Sequence, residues 1–253
     1  MALAVKHISE KRLQPYLQLA HLSQEKALEL YRLDRKLASA IFEDIAYLEV
    51  ALRNNINQVL CEDFGNDWYC RQIGFDERVV RNIADTWEKL PAQYTSKSAD
   101  RNSTLGGRIV ASSMFRTWTN MLDAGGSSGL PAPFEKSHHG DIWTRDRLIR
   151  VFPGANQLAK IQDPEYAARG LHRAWVHEKV LYVHWLRNRA AHHESLVNGI
   201  PKPGDSGGKR IIIGDCLQRC TDLAVMLDRE LYSFLEQESK AQQILESIQG
   251  TLS

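Results

Sequence analysis

The sequence predicts an all-α protein, and three observations support this fold class. Apolar residues recur at steps of three and four along several long stretches, which is the helical period. Glycine, proline and capping residues separate these stretches. The one β-like run, residues 210–213, has no evident partner strand. With 43% hydrophobic and 25% charged residues, the 253-residue chain can build a core, so we expect a single helical domain over residues 1–253.

The strongest helical signal lies in the first quarter of the chain. Residues 9–33 predict one or two short helices, and Asp34 is expected to cap a long helix that runs to about Asp63. Gly65 is expected to end this helix. The apolar stripe of the long helix consists of Leu37, Ile41, Ile45, Leu48, Leu52, Ile56 and Val59.

Two charged residues on this predicted helix have two interpretations. Glu49 and Arg53 lie four residues apart and therefore share a helix face. As a surface ion pair they would add roughly 0.2–0.5 kcal/mol of stability. As a functional pair they would face a later helix that is rich in arginine and histidine. The periodicity alone favours the surface pair.

The middle of the chain predicts shorter helices around a long loop. Helices are expected at about residues 76–90 and 105–122, followed by a flexible loop, rich in glycine, serine and proline, at about residues 123–140. His138 and His139 lie in this loop, where adjacent histidines are more often solvated than catalytic.

A basic triplet follows the loop. Arg145, Arg147 and Arg150 lie on a short helix expected at about residues 141–151. They form either a solvated face or part of a surface for an anionic ligand, and composition leaves both interpretations open.

The C-terminal part predicts two more long helices. One is expected at about residues 171–194, and the last begins at Asp215. A second flexible loop, at about residues 197–210, separates them, and the polar tail from about residue 238 is expected to fray.

Charge and apolar content narrow the possible partners. The formal net charge is +1, from 32 basic and 31 acidic residues, so an anionic ligand would need a local basic cluster. The sequence has no signal-peptide-like segment at its start and no apolar run of spanning length. We therefore expect a cytoplasmic protein with no membrane association.

The cysteines offer one weak alternative, a zinc site. No C-x-x-C motif is present, and a chain of this length does not need disulfides, which favours a reducing compartment. Cys216 and Cys220 share a helix face and could join His138 and His139 as ligands. This spacing is not a standard zinc set, so we predict buried free cysteines and no metal.

Residues 185–194, W-L-R-N-R-A-A-H-H-E, concentrate the groups that phosphate chemistry needs. An arginine such as Arg187 can neutralise a phosphate, and a histidine such as His192 can move protons near neutral pH. Asn188 and His192 are four apart and share a helix face. Such a set suits RNA cleavage by internal attack of the 2′-hydroxyl, without a metal. One chain offers one set, and a twofold dimer would supply the second. Spacing alone favours the simpler alternative, a hydrogen-bonded helix end with surface arginine and histidine.

Four ordered blocks resemble a known family. The string L-R-N-R-A-A-H-H-E-S-L resembles the signature of the Abi-like (AbiD/AbiF, abortive infection) proteins of the HEPN superfamily, whose motif is Arg, a polar residue, three variable residues and His. Three further blocks resemble the same family in the same order: Y-L-E-V-A-L-R-N-N-I, G-G-R-I-V-A-S-S-M-F-R-T-W-T-N-M-L and D-I-W-T-R-D-R-L-I-R-V-F-P. The resemblance spans roughly residues 20–200 and implies an all-α HEPN-like helical bundle with additional helices and two long loops.

The resemblance also implies a function. Arg187 and His192 would be catalytic and Asn188 would position them, in a metal-independent ribonuclease site at a homodimer interface. His193, Glu49 and Arg53 would support the site, and the RNA-binding candidates are Arg189, Arg145, Arg147 and Arg150. Abi-like proteins act in bacterial defence against phage, often as growth-arresting toxins. The expected partners are therefore RNA, a second copy of the chain and a noncoding-RNA or protein antitoxin, with no cofactor.

Two departures from the family pattern qualify these expectations. Glu194 stands where some HEPN toxins carry a tyrosine that a nucleotidyltransferase antitoxin modifies, so this form of control is not expected. Residues 112–116 lack the glycine expected beside the aromatic residue, which implies altered helix packing.

Three functions remain to be distinguished. The first is an RNA endonuclease, which residues 185–194 and the family blocks favour. The second is a non-catalytic HEPN-like module that binds RNA, a nucleotide or a protein, which the near-neutral net charge fits. The third is a purely structural helical protein.

Overall fold

The predicted fold class is confirmed. The computed structural model describes residues 7–96, 103–205 and 208–252, and these form fourteen α-helices and one two-stranded sheet. Within the described ranges, no helix is long and apolar enough to cross a membrane.

The helices and strands follow one another in this order. The helices are α1 (Glu10–Leu19), α2 (Gln24–Phe64), α3 (Glu77–Lys89), α4 (Ala92–Thr95), α5 (Ser103–Ser112), α6 (Phe115–Leu122), α7 (His139–Ile142), α8 (Arg145–Val151), α9 (Ala155–Gln162), α10 (Tyr166–Arg169), α11 (Arg173–Ala191), α12 (Ile213–Leu227), α13 (Arg229–Glu238) and α14 (Ala241–Leu252). The strands are β1 (Ile200–Pro201) and β2 (Arg210–Ile211), between α11 and α12.

The long helix α2 starts earlier than the sequence predicts. Its apolar stripe continues upstream through buried Ala27 and Leu30, so the helix begins at Gln24. The hydroxyl oxygen of Ser23 accepts the backbone N–H of Lys26 at 3.4 Å and supports this start. The predicted cap at Asp34 is therefore wrong, because Asp34 lies inside the helix and is fully buried. The helix ends at Phe64, before Gly65 with φ +92°, as predicted.

The contacts divide the chain into two compact units. The first unit comprises residues 1–46, 185–221 and 233–253, and the second comprises residues 47–184 and 222–232. The unit boundaries fall inside α2, α11, α12 and α13. The prediction of a single domain stays a prediction.

The first unit contains a small sheet that the sequence did not predict. Ile200 pairs with Ile211 and Pro201 with Arg210 in an antiparallel register. Residues 210–211, which had no evident partner strand in the sequence, therefore pair with residues 200–201 across the loop. The first unit also contains α14, where Ala241 and Ile248 are buried. Residues 241–252 are therefore helical, and the prediction of a frayed tail is wrong for them.

The second unit breaks two helices that the sequence predicts as continuous. The predicted helix at residues 105–122 stops at Ser112, and the extended backbone of Met114 separates it from α6. The predicted helix at residues 141–151 is split into α7 and α8. Thr144 accepts the N–H of Arg147 at 3.4 Å and caps α8.

The predicted loop at residues 123–140 folds back on itself in the second unit. Ser128 donates its N–H to Glu135, Ser137 donates to Gly126, and an isolated bridge joins Ser127 and Lys136. His138 is exposed as expected. The expectation that His139 is solvated is wrong, because its side chain is fully buried.

Candidate functional site

The candidate segment lies at the C-terminal end of α11, in the first unit. The helix ends at Ala191, three residues before the predicted end, and His192 and His193 form a turn. The His193 N–H donates to Ala190 at 3.1 Å, and the Glu194 N–H donates to Arg189 at 3.0 Å. These two bonds define a Schellman motif, in which the residue after the cap is left-handed.

His193 occupies the left-handed position of this motif. Its φ is +55°, a conformation that glycine adopts most readily and that histidine adopts more often than most other residues. The turn directs the chain away from the helix axis, and both imidazoles are exposed to solvent. The backbone N–H of His192 donates to the Asn188 carbonyl at 2.9 Å, so His192 is still held by the last helical turn.

The backbone after His192 is bound by residues of α1 and α2, and we call this set of contacts the latch. Arg12 donates to the His193 carbonyl at 3.0 Å, and Arg35 donates to the Glu194 carbonyl at 2.7 Å. The carboxylate of Asp34 accepts two backbone N–H groups further along, those of Leu196 at 2.9 Å and Val197 at 3.0 Å. All these residues belong to the first unit.

The second carboxylate oxygen of Asp34 faces α1. It accepts the Tyr16 hydroxyl at 2.6 Å and a hydrogen bond from Arg35. Burial, followed by the nearby Asp34 carboxylate, raises the pKa of Tyr16 above its ordinary value. Tyr16 therefore remains a hydrogen-bond donor to Asp34 throughout the neutral pH range.

The arginine side chains of the segment have different environments. The Arg187 guanidinium lies 5.4 Å from the ring centroid of Phe42, and its buried Nε has no hydrogen-bond partner. No carboxylate within the described residues pairs with Arg187. Arg189 instead forms an ion pair with Glu194 and lies over the Trp185 ring. Arg187 is therefore the arginine of the segment that retains its charge for an anionic ligand.

The supporting pair predicted on α2 lies in the second unit. Arg53 donates to the Ala111 carbonyl at 3.2 Å. Glu49 and Arg53 thus belong to a different unit from Arg187, Asn188 and His192. The five predicted residues of the segment, namely Arg187, Asn188, Arg189, His192 and His193, lie in one stretch at the end of α11 because they are close in sequence.

The basic triplet of α8 is largely neutralised within the second unit. Arg147 contacts Asp63 at 2.5 Å, and Arg150 contacts Asp63 at 2.7 Å and Glu62 at 3.1 Å. Hydrogen bonds from Arg150 and then Arg147 hold the pKa of Asp63 below its ordinary value. Arg145 contacts the neutral side chain of Asn156 at 3.3 Å. Of the three, Arg145 thus has the charge that is least committed to carboxylates.

The cysteines and histidines considered as a zinc set belong to different units. Cys216 and Cys220 are buried in the first unit, whereas His138 and His139 belong to the second. Burial raises the pKa of the Cys216 thiol to about 12. Both cysteines are therefore buried thiols in the described structure.

A different cluster in the second unit has ligand-like spacing. Within the described ranges, Asp76, Asp123 and His139 are the one group whose potential metal-ligand atoms lie within 4.8 Å of one another. His139 Nε2 already accepts the Asp76 N–H at 3.1 Å, and Asp76 also caps α3. Arg78 bridges both carboxylates. This network joins α3 to the folded loop, and a metal would have to displace Arg78.

The latch is the part of the site that sequence reasoning missed. A signal was present, because Asp34 lies four residues after Leu30 and three before Leu37, inside the apolar stripe. A carboxylate at such a position is buried and needs hydrogen-bond donors from elsewhere in the fold. The sequence did not indicate that these donors are the amides of Leu196 and Val197.

The fold and the site define an all-α protein with half-buried arginines and exposed histidines at a latched helix end. In a comparison with known families, one family model matches part of the chain. Residues 5–128, just under half of the sequence, match the model of the Abi-like protein family. No curated protein and no solved structure matches the chain.

The family match covers one part of the site and not the other. It includes Asp34, Glu49 and Arg53, together with the blocks at residues 47–56 and 106–122. It ends before Arg187 and His192. The Abi-like resemblance is thus supported for residues 5–128, and membership of the HEPN superfamily and the AbiD/AbiF type stay predictions.

Proposed function

We propose that this protein is a metal-independent endoribonuclease of the abortive-infection type. The observation that carries the proposal is the combination of an exposed His192 with an Arg187 that pairs with no described carboxylate, on one latched helix end. The Abi-like match of residues 5–128 supports the biological role, in which an infected cell stops growing and so limits phage production.

The proposed reaction is a phosphoryl transfer within the RNA strand. His192 removes the proton of a ribose 2′-hydroxyl, the 2′-oxygen bonds to phosphorus, and the bond to the 5′-oxygen breaks. The leaving 5′-oxygen takes up a proton, which gives a 2′,3′-cyclic phosphate and a 5′-hydroxyl. Arg187 neutralises the charge that develops on the phosphoryl oxygens, and Asn188 positions the pair.

The reaction needs a base and an acid, and one segment supplies one Arg187 and His192 set. We propose that a twofold homodimer brings a second set to the same phosphate. We assign His193 a supporting role in this proposal, because it is exposed and follows His192 in the turn. A noncoding RNA or a protein antitoxin would restrain the enzyme in uninfected cells.

The test uses the purified full chain and a labelled single-stranded RNA in the presence of EDTA. Cleavage should leave a cyclic phosphate or its hydrolysis product. His192→Ala and Arg187→Ala should each lower the rate at least about 100-fold, whereas the exposed His138→Ala should not. Circular dichroism checks that the variants remain folded. Equal cleavage by wild type and His192→Ala would refute the assignment.

The dimer is tested by mixing the two inactive variants. A heterodimer of Arg187→Ala and His192→Ala contains one intact arginine and one intact histidine. If the site is shared between copies, mixing and re-equilibration should restore part of the activity. No recovery, despite heterodimer formation measured by mass spectrometry, would show that one arginine and one histidine from different copies do not make a working site.

A non-catalytic HEPN-like module that binds RNA, a nucleotide or a protein is the second candidate. The neutralised Arg147 and Arg150 and the net charge of +1 leave few free cations for a broad RNA surface, which within this candidate favours a nucleotide or a protein as the ligand. RNA binding without turnover in long incubations, at several salt concentrations, would support this function over the nuclease.

A further inference from the structure

Asp34 is a fully buried carboxylate in the interior of a helix, and the proposed chemistry does not use it. An ionised carboxylate is retained in such a place when its oxygens accept several hydrogen bonds. Both oxygens of Asp34 are occupied, one by the amides of Leu196 and Val197 and the other by Tyr16 and Arg35. None of these contacts serves to cap α2, which is continuous through this position.

These contacts meet the chain where the candidate turn leaves its helix. Between residues 193 and 197, the carbonyls of His193 and Glu194 and the amides of Leu196 and Val197 are all bound by side chains of α1 and α2. Arg35 has two roles here, because the same Nη2 bonds to Asp34 and to the Glu194 carbonyl. Asp34 therefore fixes Arg35, and both fix the turn.

His192 depends on this arrangement for its direction. It lies one residue beyond the end of α11, and its side chain is exposed, so surrounding packing constrains it little. The Schellman turn on one side and the latched residues 193–197 on the other set the path of its backbone. Small errors in the placement of a proton-transfer group are costly to the rate.

We propose that Asp34 is a positioning residue for His192, which acts through the backbone of residues 193–197 and touches no substrate. The inference rests on the proposed function where it concerns rate, but the ordering of the turn is measurable without any activity. Tyr16 and Arg35 act with Asp34, because they donate hydrogen bonds to the carboxylate that binds the Leu196 and Val197 amides.

The main test variant is Asp34→Asn. Asparagine keeps one oxygen for the Leu196 and Val197 amides, but its NH₂ group then faces the Arg35 guanidinium, and the ion pair is lost. The matched control is Asp44→Asn, because Asp44 also lies on α2 in the first unit and accepts a hydrogen bond, from Ser239 at 2.6 Å. Tyr16→Phe removes one donor and should have an intermediate effect.

Two measurements carry the test. In Asp34→Asn, the amides of Leu196 and Val197 should exchange with solvent at least about 10-fold faster than in wild type, and NMR relaxation should show a more mobile His192 ring. For RNA cleavage, kcat should fall about 10- to 100-fold with little change in KM. Asp44→Asn should leave exchange, ring mobility, kcat and KM as in wild type.

Each result decides one of the two proposals. Faster exchange with an unchanged kcat and an unchanged His192 ring would overturn the positioning role. A kcat that falls equally in Asp34→Asn and Asp44→Asn would overturn it too, because the loss would then follow general destabilisation. If wild type does not cleave RNA, the nuclease proposal fails, and the mobility of the His192 ring still decides whether Asp34 positions it.

Discussion

Replacement of His193 separates the structural and chemical roles of the turn. His193 is left-handed with φ +55°, and its side chain is exposed, so a substitution there changes backbone strain more than packing. A residue with a Cβ in this conformation carries a cost of about 1–2 kcal/mol. Glycine avoids this cost but loses about 0.5–1 kcal/mol through its freer unfolded state.

We therefore expect His193→Gly to be more stable than His193→Ala by about 0.5–1 kcal/mol, since both lose the imidazole and alanine retains the strain. In a chain of this size the difference corresponds to roughly 1–4 °C in Tm. Urea and thermal unfolding, followed by circular dichroism, measure it. Both variants should cleave RNA within about 10-fold of wild type, whereas His192→Ala should lose far more.

Two outcomes would refute this reasoning. If His193→Ala is as stable as His193→Gly, the left-handed turn does not form in solution. If both variants lose as much activity as His192→Ala while their unfolding remains normal, the proton-transfer role belongs to His193 as much as to His192.

Two further predictions concern the second unit. Hydrogen bonds from His139, Gly125 and Arg78 outweigh burial and hold the pKa of Asp123 well below its ordinary value. The Asp123 carboxylate therefore contributes to stability above about pH 4, and this contribution is lost as the pH falls further. Asp123→Asn should cost about 1–3 kcal/mol at neutral pH and flatten the acid limb of the unfolding curve, and an unchanged acid limb would contradict the network. Gly154→Ala would place a Cβ 2.0 Å from the Val225 carbonyl oxygen and should lower the free energy of unfolding by about 1–3 kcal/mol, measured in urea. In the control, Gly107→Ala on α5, the added Cβ meets open space and should not destabilise the protein. Equal stability of the two variants would contradict the packing at Gly154.

The sequence predicted the parts of the fold that depend on neighbours along the chain. The apolar stripe of α2 and the stop at Gly65 are local patterns, and so is the contiguous set from Arg187 to His193. Asp34 was assigned a local role as a cap because helix caps are common, and that role is wrong. The two backbone amides that it binds are 162 and 163 positions away, and no local pattern indicates them.

The burial of His139 was missed for the same reason. Its partners, Asp76 and Asp123, come from the start of α3 and the end of α6, so they meet only in the folded unit. Loop composition predicted solvation for both histidines of the pair, and it was correct for His138 alone. In both cases a polar side chain among apolar or loop residues is buried, because backbone amides and charged groups from distant parts of the chain interact with it.

The latch also has a consequence for the time at which the site forms during synthesis. Asp34 and Leu196 are 162 positions apart, so α1 and α2 leave the ribosome long before the segment that they hold. At ~5–20 residues per second, this delay is roughly 10–30 s. Throughout that interval the chain has no ordered His192 turn. An enzyme that cuts RNA would thus acquire its working geometry only after Leu196 and Val197 had been translated.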